Sequence, residues 1–298
     1  LTEFQGLAPE SIAQLPASVY FHENRLAYPV RCESERDLHF AMTNLVTACA
    51  ADAVWFNSRF HCDDLLTAAE AFLHRMPDYR PLEMVEAIRA KASVQAPGIE
   101  TIESTCEAAS GPLHIVWAGR WEHDKNPEDF FAALDQLFAR GIEFRVSVLG
   151  QSFRESPPVF AEYHHKLADR IEHWGYLESR RAYLAALQSA HIFVSTANHE
   201  FFGIAAVEAM AVGCFPLLPR RLAYPELVTD EQGIVNEDFL YDGTVSGLVE
   251  RLAESSQRFH DQTLSRGTAA GLADRFRWPV RAEAMDAALV NVIANRSE

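Results

Sequence analysis

Short apolar runs alternate along the chain with longer stretches whose apolar positions recur at helical spacing, the pattern of βαβ units building a parallel sheet. Two such series are present. The first holds the run Ser18-Val19-Tyr20-Phe21, a helical stretch from about Glu35 to Cys49, and the run Ala53-Val54-Trp55-Phe56. Asn57 or Ser58 can cap the next helix, which carries Phe60, Leu65, Leu66 and Phe72 at near-helical spacing. Between about Gln95 and Pro112 the pattern fails. There Pro97-Gly98, several acids and Ser110-Gly111-Pro112 read as an interdomain linker.

The second series opens on a buried-type strand, Leu113 to Trp117, followed by a strongly signalled helix. Asn126 is the expected N-cap, Pro127 occupies the first turn, Glu128 and Asp129 complement the dipole, and Gly141 ends it. Phe130, Phe131, Leu134, Leu137 and Phe138 form its buried stripe. Strands are predicted near Phe144–Leu149, Ile171–Trp174, Ile192–Ser195 and Phe215–Leu218, with helices between them and a last helix from about Val280 to Asn295. The whole predicts two doubly wound α/β domains facing across a cleft, with ligands at the carboxyl ends of the strands.

Composition narrows the function classes. Of 298 residues, 48% are apolar and 23% charged, enough to bury a full core without a metal or disulfide staple. The formal net charge of −16 is the opposite of a nucleic-acid-binding footprint, so a polyanionic ligand has to be held by local cationic clusters. Five widely spaced cysteines form no C-x-x-C pair, which fits a reducing cytosol and a cytoplasmic location. No run reaches the ~18 apolar residues that a membrane span requires.

The most informative segment is Asn198-His199-Glu200-Phe201-Phe202-Gly203-Ile204-Ala205-Ala206-Val207-Glu208. It follows a strand and opens a helix, so the amides of Phe202, Gly203 and Ile204 are expected unpaired at a positive helix terminus, with Gly203 admitting close approach of a ligand. Glu200 lies in the loop ahead of this anion site, and Glu208 lies about a turn and a half into the helix. Carboxylates beside an anion site suit a ligand carrying both phosphate and sugar hydroxyls. The plainer reading makes Glu200 a dipole partner and Glu208 a surface residue, although Glu208 sits in an otherwise apolar helix.

A second candidate is Gly119-Arg120-Trp121-Glu122-His123-Asp124-Lys125-Asn126-Pro127, where Arg120 and Lys125 leave a strand's carboxyl end in a position to clamp a diphosphate. Taken alone, both could be solvated loop cations. A third, Phe21-His22-Glu23-Asn24, places His22 at the end of the first strand, either as a structural histidine or at the mouth of the expected cleft.

These segments carry a family resemblance. Glu200 through Glu208 resembles the E-x7-E motif of retaining GT-B glycosyltransferases of the glycogen synthase and mannosyltransferase type, and Gly119-Arg120…Lys125 resembles their diphosphate-binding Arg and Lys. Val94-Gln95-Ala96-Pro97-Gly98-Ile99-Glu100 is similar to the turn that closes their N-terminal domain. Finer segments resemble the tRNA-queuosine mannosyltransferase branch: Tyr20 through Val30, Arg120 through Lys125, Val146-Ser147-Val148-Leu149-Gly150, His173 through Leu177, and His199 through Gly203.

The resemblance implies a GT-B fold with a partial acceptor-side domain over residues 1–98, a linker over 99–112, a nucleotide-sugar-binding domain over 113–278, and a C-terminal helix over 279–298 positioned to return to the first domain. The family's N-terminal domain begins with a further strand, a glycine-rich turn and βα units ahead of the His22 strand, so that domain is expected to be incomplete here. The implied reaction moves a hexose, mannose from GDP-mannose, to queuosine in tRNA with retention and without a bound metal or cofactor. Arg120 and Lys125 would neutralise the leaving diphosphate, Glu200 would hold hydroxyls of the donor sugar, Glu208 would accept from the ribose, and His22 would reach the donor from the opposite domain. Phe202, Gly203, Ile204, Gly150 and Tyr176 complete the implied donor site, the last near the nucleobase. No side chain is an obvious nucleophile; the family is described as using front-face attack, in which the leaving phosphate takes the acceptor's proton.

Two other readings stay open: a small-molecule, lipid or polysaccharide acceptor, and a non-catalytic nucleotide-sugar-binding module. For a tRNA acceptor, Arg25, Arg31 and Arg36, or Arg180-Arg181 and Arg220-Arg221, could supply local attraction, and Tyr28 could stack on a flipped nucleoside.

Overall fold

A computed structural model of the chain describes residues 1–24, 26, 38–102, 111–152 and 156–295. It divides into two compact units, Leu1–Gly98 with Trp278–Glu298, and Ile99–Arg277. Arg25, Tyr28, Arg31 and Arg36 lie outside the described residues.

The first unit starts with two short helices, Thr2–Leu7 and Glu10–Ala13, and then alternates strand and helix: β1 (Ser18–Phe21), Leu38–Ala50, β2 (Ala53–Phe56), Arg59–His74, Glu83–Lys91 and β3 (Ala92–Val94). Its strands pair in parallel in the order β1-β2-β3. All four β2 residues are buried, which is why this apolar run reads clearly from sequence. Phe56 packs with Leu45, Leu65, Leu66, Leu73 and Ile88 in this unit's core, each worth about 1.5–3 kcal/mol relative to leaving it in water. Ser58 caps the helix that follows, its hydroxyl accepting from the His61 amide 3.0 Å away. The last helix, Trp278–Asn295, buries no residue fully, yet Arg281 donates from Nε to the Ala96 carbonyl and from the guanidinium to Gln95 Oε1, at 2.9 and 3.1 Å. A side chain on Gly98 would overlap the Trp278 indole, so the glycine permits this close packing.

Ile99 and Ile102, in the stretch read as linker, are buried within the second unit, and the Ile99 amide bonds the Phe276 carbonyl at 2.7 Å. Residues 103–110 are outside the described set. Six strands follow: β4 (Leu113–Ala118), β5 (Phe144–Leu149), β6 (Ile171–Gly175), β7 (Ile192–Val194), β8 (Phe215–Pro219) and β9 (Leu240–Tyr241). They form one parallel sheet in the order β6-β5-β4-β7-β8-β9. Successive strands are added first to one side of β4 and then to the other, so the order reverses between β4 and β7. Ligands of open α/β sheets bind at such a switch point, outside the carboxyl ends of the strands.

Asn126 occupies the capping position before the helix Pro127–Ala139, but not as expected. Its backbone is left-handed, with φ of 49°, and its side chain donates to Asp129 Oδ2 at 2.6 Å instead of accepting from a helix amide. The break from the 3₁₀ turn His123–Lys125 to this helix needs a sharp reversal at Asn126, and asparagine tolerates that conformation better than most residues.

At the opposite, amino-terminal end of the sheet, His114 and His191 are buried together. His191 Nδ1 accepts from the His114 amide at 2.8 Å, and His114 spans the Ser189 carbonyl and the Ser147 hydroxyl at 3.0 and 2.8 Å. Burial, then the charges of Arg266 and His114, pushes His191 down to about 4, and burial also lowers His114. Between pH 6.5 and about 4 the unfolded chain therefore binds protons that the folded one refuses, so this contribution is complete above pH 6.5 and is lost as the pH falls. The thermal midpoint is expected to drop steeply over that window. A scan at several pH values should give a shallower dependence for His191→Gln, and an unchanged slope would remove His191 as the cause.

Among the described residues no helix is long and apolar enough to cross a membrane.

Candidate functional site

Two loops leave the adjacent strands β4 and β7 at their carboxyl ends, Gly119–Asn126 and Ser195–Gly203, and buried contacts lock them together. Thr196 Oγ1 donates to the Lys125 carbonyl at 2.9 Å and accepts from the Trp117 indole at 3.2 Å. The Asn198 and His199 amides both donate to the Asp124 carbonyl. Arg221, which follows β8, donates to the Thr196 and Ala197 carbonyls, both at 3.0 Å. The cationic loop is thus held against the acidic one by main-chain bonds that do not depend on the site's own charges.

On this frame Lys125 Nζ lies 3.2 Å from Glu200 Oε2, 3.3 Å from Asp124 Oδ2 and 2.8 Å from the His199 carbonyl, which it also donates to. Only 13% of its side chain is exposed, so its charge acts through little solvent. Arg120 is more open: its guanidinium pairs with Glu122 Oε2 at 3.1 Å and approaches Asp124 Oδ2 at 3.9 Å. Trp121 fixes the loop between them, stacking on Phe160 with ring centroids 4.2 Å apart. Asp124, a buried carboxylate between the two cations, was not singled out from sequence, because only the folded loop shows that it faces inward.

The helix Ile204–Ala211 begins immediately after the acidic loop, with Gly203 left-handed at φ of 97°. A Cβ at Gly203 would lie 3.0 Å from Tyr224 and 3.3 Å from Leu227, so both the conformation and the packing demand glycine. The amides of Gly203 and Ile204 have no acceptor among the described residues, as a helix start leaves them. Phe202 differs from expectation: its amide donates to Glu200 Oε1 at 3.4 Å, and its ring is buried against Phe276. Glu200 lies four residues before the helix and is not a first-turn residue; it bridges Lys125 and the Phe202 amide. Buried Tyr224 lies beside it: burial, and then the Glu200 charge, holds the phenol well above its ordinary value.

Glu208 is buried and not a surface residue. One of its oxygens accepts from Arg180 at 2.5 Å, and Arg180 also reaches Glu100 at 3.2 Å. Gly150 and Tyr176 flank the site along β5 and β6. The sheet's hydrogen bonding continues past the strands there, from the Gly119 amide to Leu149 and from the Gly150 amide to the Gly175 carbonyl. Tyr176 is exposed.

His22 belongs to the first unit. It is exposed at the end of β1, its ring 4.4 Å from that of Tyr20, and its carbonyl accepts from the buried Asn57 side chain at 2.8 Å. Asn57 follows β2, and its own Oδ1 has no partner among the described residues. The second unit thus carries Arg120, Lys125, Glu200, Phe202, Gly203, Gly150 and Tyr176 on its loops and Ile204 and Glu208 on the helix Ile204–Ala211, while His22 belongs to the first.

The basic pairs expected to attract RNA are largely used internally. Arg180 serves Glu208 and Glu100, Arg220 pairs with Glu237, and Arg221 serves the β7 loop. Among the described residues no group of three or more His, Cys, Asp or Glu side chains could hold a metal ion.

Residues 99–259 match the family model of the group 1 glycosyl transferases, and residues 1–99 match that of the tRNA-queuosine alpha-mannosyltransferase N-terminal domain. The chain is 38% identical over 245 residues to the tRNA-queuosine alpha-mannosyltransferase of Drosophila melanogaster, an alignment covering 78% of this chain and 64% of that relative. It therefore spans less than two thirds of that protein. A GDP-mannose:cellobiosyl-diphosphopolyprenol alpha-mannosyltransferase of Xanthomonas oryzae pv. oryzae is 32% identical over 146 residues, 47% of this chain and 38% of that one. Among solved structures, the sucrose-phosphate synthase of Thermosynechococcus elongatus has a TM-score of 0.70 at 18% identity, covering 93% of this chain and 68% of that one. Anabaena HepE in complex with UDP has a TM-score of 0.69 at 15% identity, over 95% of this chain and 74% of that one. These two share the fold.

Proposed function

Since this chain belongs to the group 1 glycosyl transferases, we propose that it transfers a hexose with retention, mannose from GDP-mannose, to queuosine in tRNA. The observation that carries the reading is the ammonium of Lys125 held against Glu200 beside the open amides of Gly203 and Ile204, at the switch point between β4 and β7. The match of residues 1–99 and the Drosophila relative support the tRNA acceptor, and the names of the alpha-mannosyltransferase relatives support the donor.

In this mechanism the bond from the anomeric carbon to the diphosphate breaks while a bond to the acceptor oxygen forms on the same face. The acceptor's proton passes to the departing phosphate oxygen. Lys125, Arg120 and the helix terminus stabilise the charge that grows on the diphosphate, in a site where nearby carboxylates hold the two cations in place beforehand. Glu200 accepts from hydroxyls of the transferred sugar, and Glu208 accepts from the ribose. Gly150 and Tyr176 border the nucleotide.

Incubation with GDP-mannose and queuosine-containing tRNA, followed by mass spectrometry of the released nucleosides, should show queuosine heavier by one hexose. Unmodified queuosine, with GDP-mannose nevertheless consumed, would move the assignment to the second reading, a small-molecule, lipid or polysaccharide acceptor. That reading draws on the charge of −16 and on the internal engagement of Arg180, Arg220 and Arg221.

A further inference from the structure

The Ser179-capped helix Arg180–Ser189 turns one face toward the helix that carries Glu208. Arg180 and Tyr183, one turn apart, are neighbours on that face. Arg180 donates to the buried Glu208 at Oε1, 2.5 Å away, and burial, with the Glu208 charge adding to it, holds the Tyr183 phenol above its ordinary value. The guanidinium also lies over the Tyr183 ring, 5.3 Å from its centre, and its Nε is tied to Glu100. The Arg180 side chain is 41% exposed and that of Glu208 only 8%. A carboxylate so removed from water requires a cationic partner, and loss of that partner leaves an uncompensated buried charge.

Acceptor capacity points to a further consequence. An ionised carboxylate offers about four acceptor directions. Arg180 fills one of them. The directions that remain are enough for both hydroxyl donors of a vicinal diol.

We infer that Arg180 is a positioning residue that orients the Glu208 carboxylate so that its remaining lone pairs meet the 2′- and 3′-hydroxyls of the donor's ribose. This rests on the reading of Glu208 as the ribose acceptor and adds the side chain that makes it competent. Arg180 touches neither the reacting carbon nor the diphosphate in this scheme. Its effect is confined to nucleotide affinity and to the recognition of the ribose hydroxyls. The neighbouring Arg181 is exposed and has no such partner to orient among the described residues, so the two consecutive arginines are not equivalent.

The test is titration of GDP and 2′-deoxy-GDP into the wild-type chain, Arg180→Ala and Arg180→Lys, with circular dichroism as the check on folding. The wild type should bind GDP at least roughly tenfold more tightly than 2′-deoxy-GDP, the effect of removing one hydrogen bond to a charged group. In Arg180→Ala the preference should collapse toward onefold, with GDP itself weakened to the level of the deoxynucleotide. Arg180→Lys should restore part of the preference, and it supplies the comparison should the alanine variant fail to fold. Loosened packing alone would weaken both nucleotides and leave their ratio intact, so a wild-type ratio in folded Arg180→Ala or full wild-type behaviour of both variants overturns the inference. A wild-type chain that binds GDP without discriminating the 2′-hydroxyl would instead overturn the ribose role of Glu208, and the inference with it.

Discussion

Replacing Lys125 by alanine lowers transfer by about 10²–10³-fold, the cost of deleting one preorganised donor aimed at developing transition-state charge. The expectation follows from what surrounds the ammonium. Its charge sits between Glu200 and Asp124 with 13% of the side chain exposed, so solvent cannot take its place when the diphosphate departs. The loss should fall on kcat more than on KM, because the charge on the leaving oxygen is greater in the transition state than in the bound donor. The loops themselves should stay closed in the variant, since Thr196, Asn198, His199 and Arg221 bind them through main-chain atoms. Glu200→Ala is expected to act in the same direction, removing both the sugar acceptor and the partner that fixes Lys125. Steady-state assay of donor turnover by the two folded variants checks this; near-native kcat in Lys125→Ala would dismiss the charge-neutralising role.

Much of this site was legible before any coordinates, for physical reasons that also explain what was missed. β4, β5 and β7 read clearly because Leu113, Ile115, Val116, Phe144, Val146, Val148, Ile192 and Phe193 are buried in a parallel sheet, which produces unbroken apolar runs, whereas the two-residue β9 is absent from the sequence reading because it is too short to show a pattern. The E-x7-E loop read clearly because a helix start leaves its first amides open and Gly203 stands where a ligand can approach them. β3 and the helix Glu83–Lys91 before it escaped notice: Ala92, Ser93 and Val94 are all only half-buried and form a three-residue strand, too short for a period to declare itself.

Partner choice was the other hidden quantity. Nothing local to Arg180 says that it meets Glu208, 28 positions away, or that Arg221 reaches back to Ala197, so both looked like solvated cations available to RNA. The same blindness applied in reverse to Phe202, whose amide was expected to be open and is drawn to Glu200 two residues earlier. Local pattern fixes which groups need partners, whereas tertiary packing decides who supplies them.

Gly150 illustrates that difference and carries the second large prediction. It was grouped with the donor-binding residues because it ends β5 in a segment resembling the family, but its surroundings give it a packing role of its own. A Cβ at this position would fall on the Gly119 carbonyl oxygen, well inside van der Waals contact, 2.9 Å from Trp121 Cδ1 and 3.0 Å from the Gly119 carbonyl carbon. Neither neighbour is a flexible side-chain end. Gly119 is pinned by its amide to Leu149, and Trp121 by its stack on Phe160 and its edge contact with Trp174. Gly150→Ala must therefore displace the very loop that carries Arg120 and Lys125, at a cost in the range of overpacked cores, about 1–3 kcal/mol or more. The expected result is a lowered thermal midpoint together with weakened GDP binding, because the displaced atoms belong to both the fold and the site. Gly175→Ala provides the contrast: no heavy atom lies within 4 Å of a Cβ there, so its only cost is the left-handed φ of 101°, and its midpoint should fall less. Equal midpoints for Gly150→Ala and the wild type would mean that the β4 and β5 loops have room to part, and that the close approach of Gly150 to Gly119 is not what holds Lys125 in place.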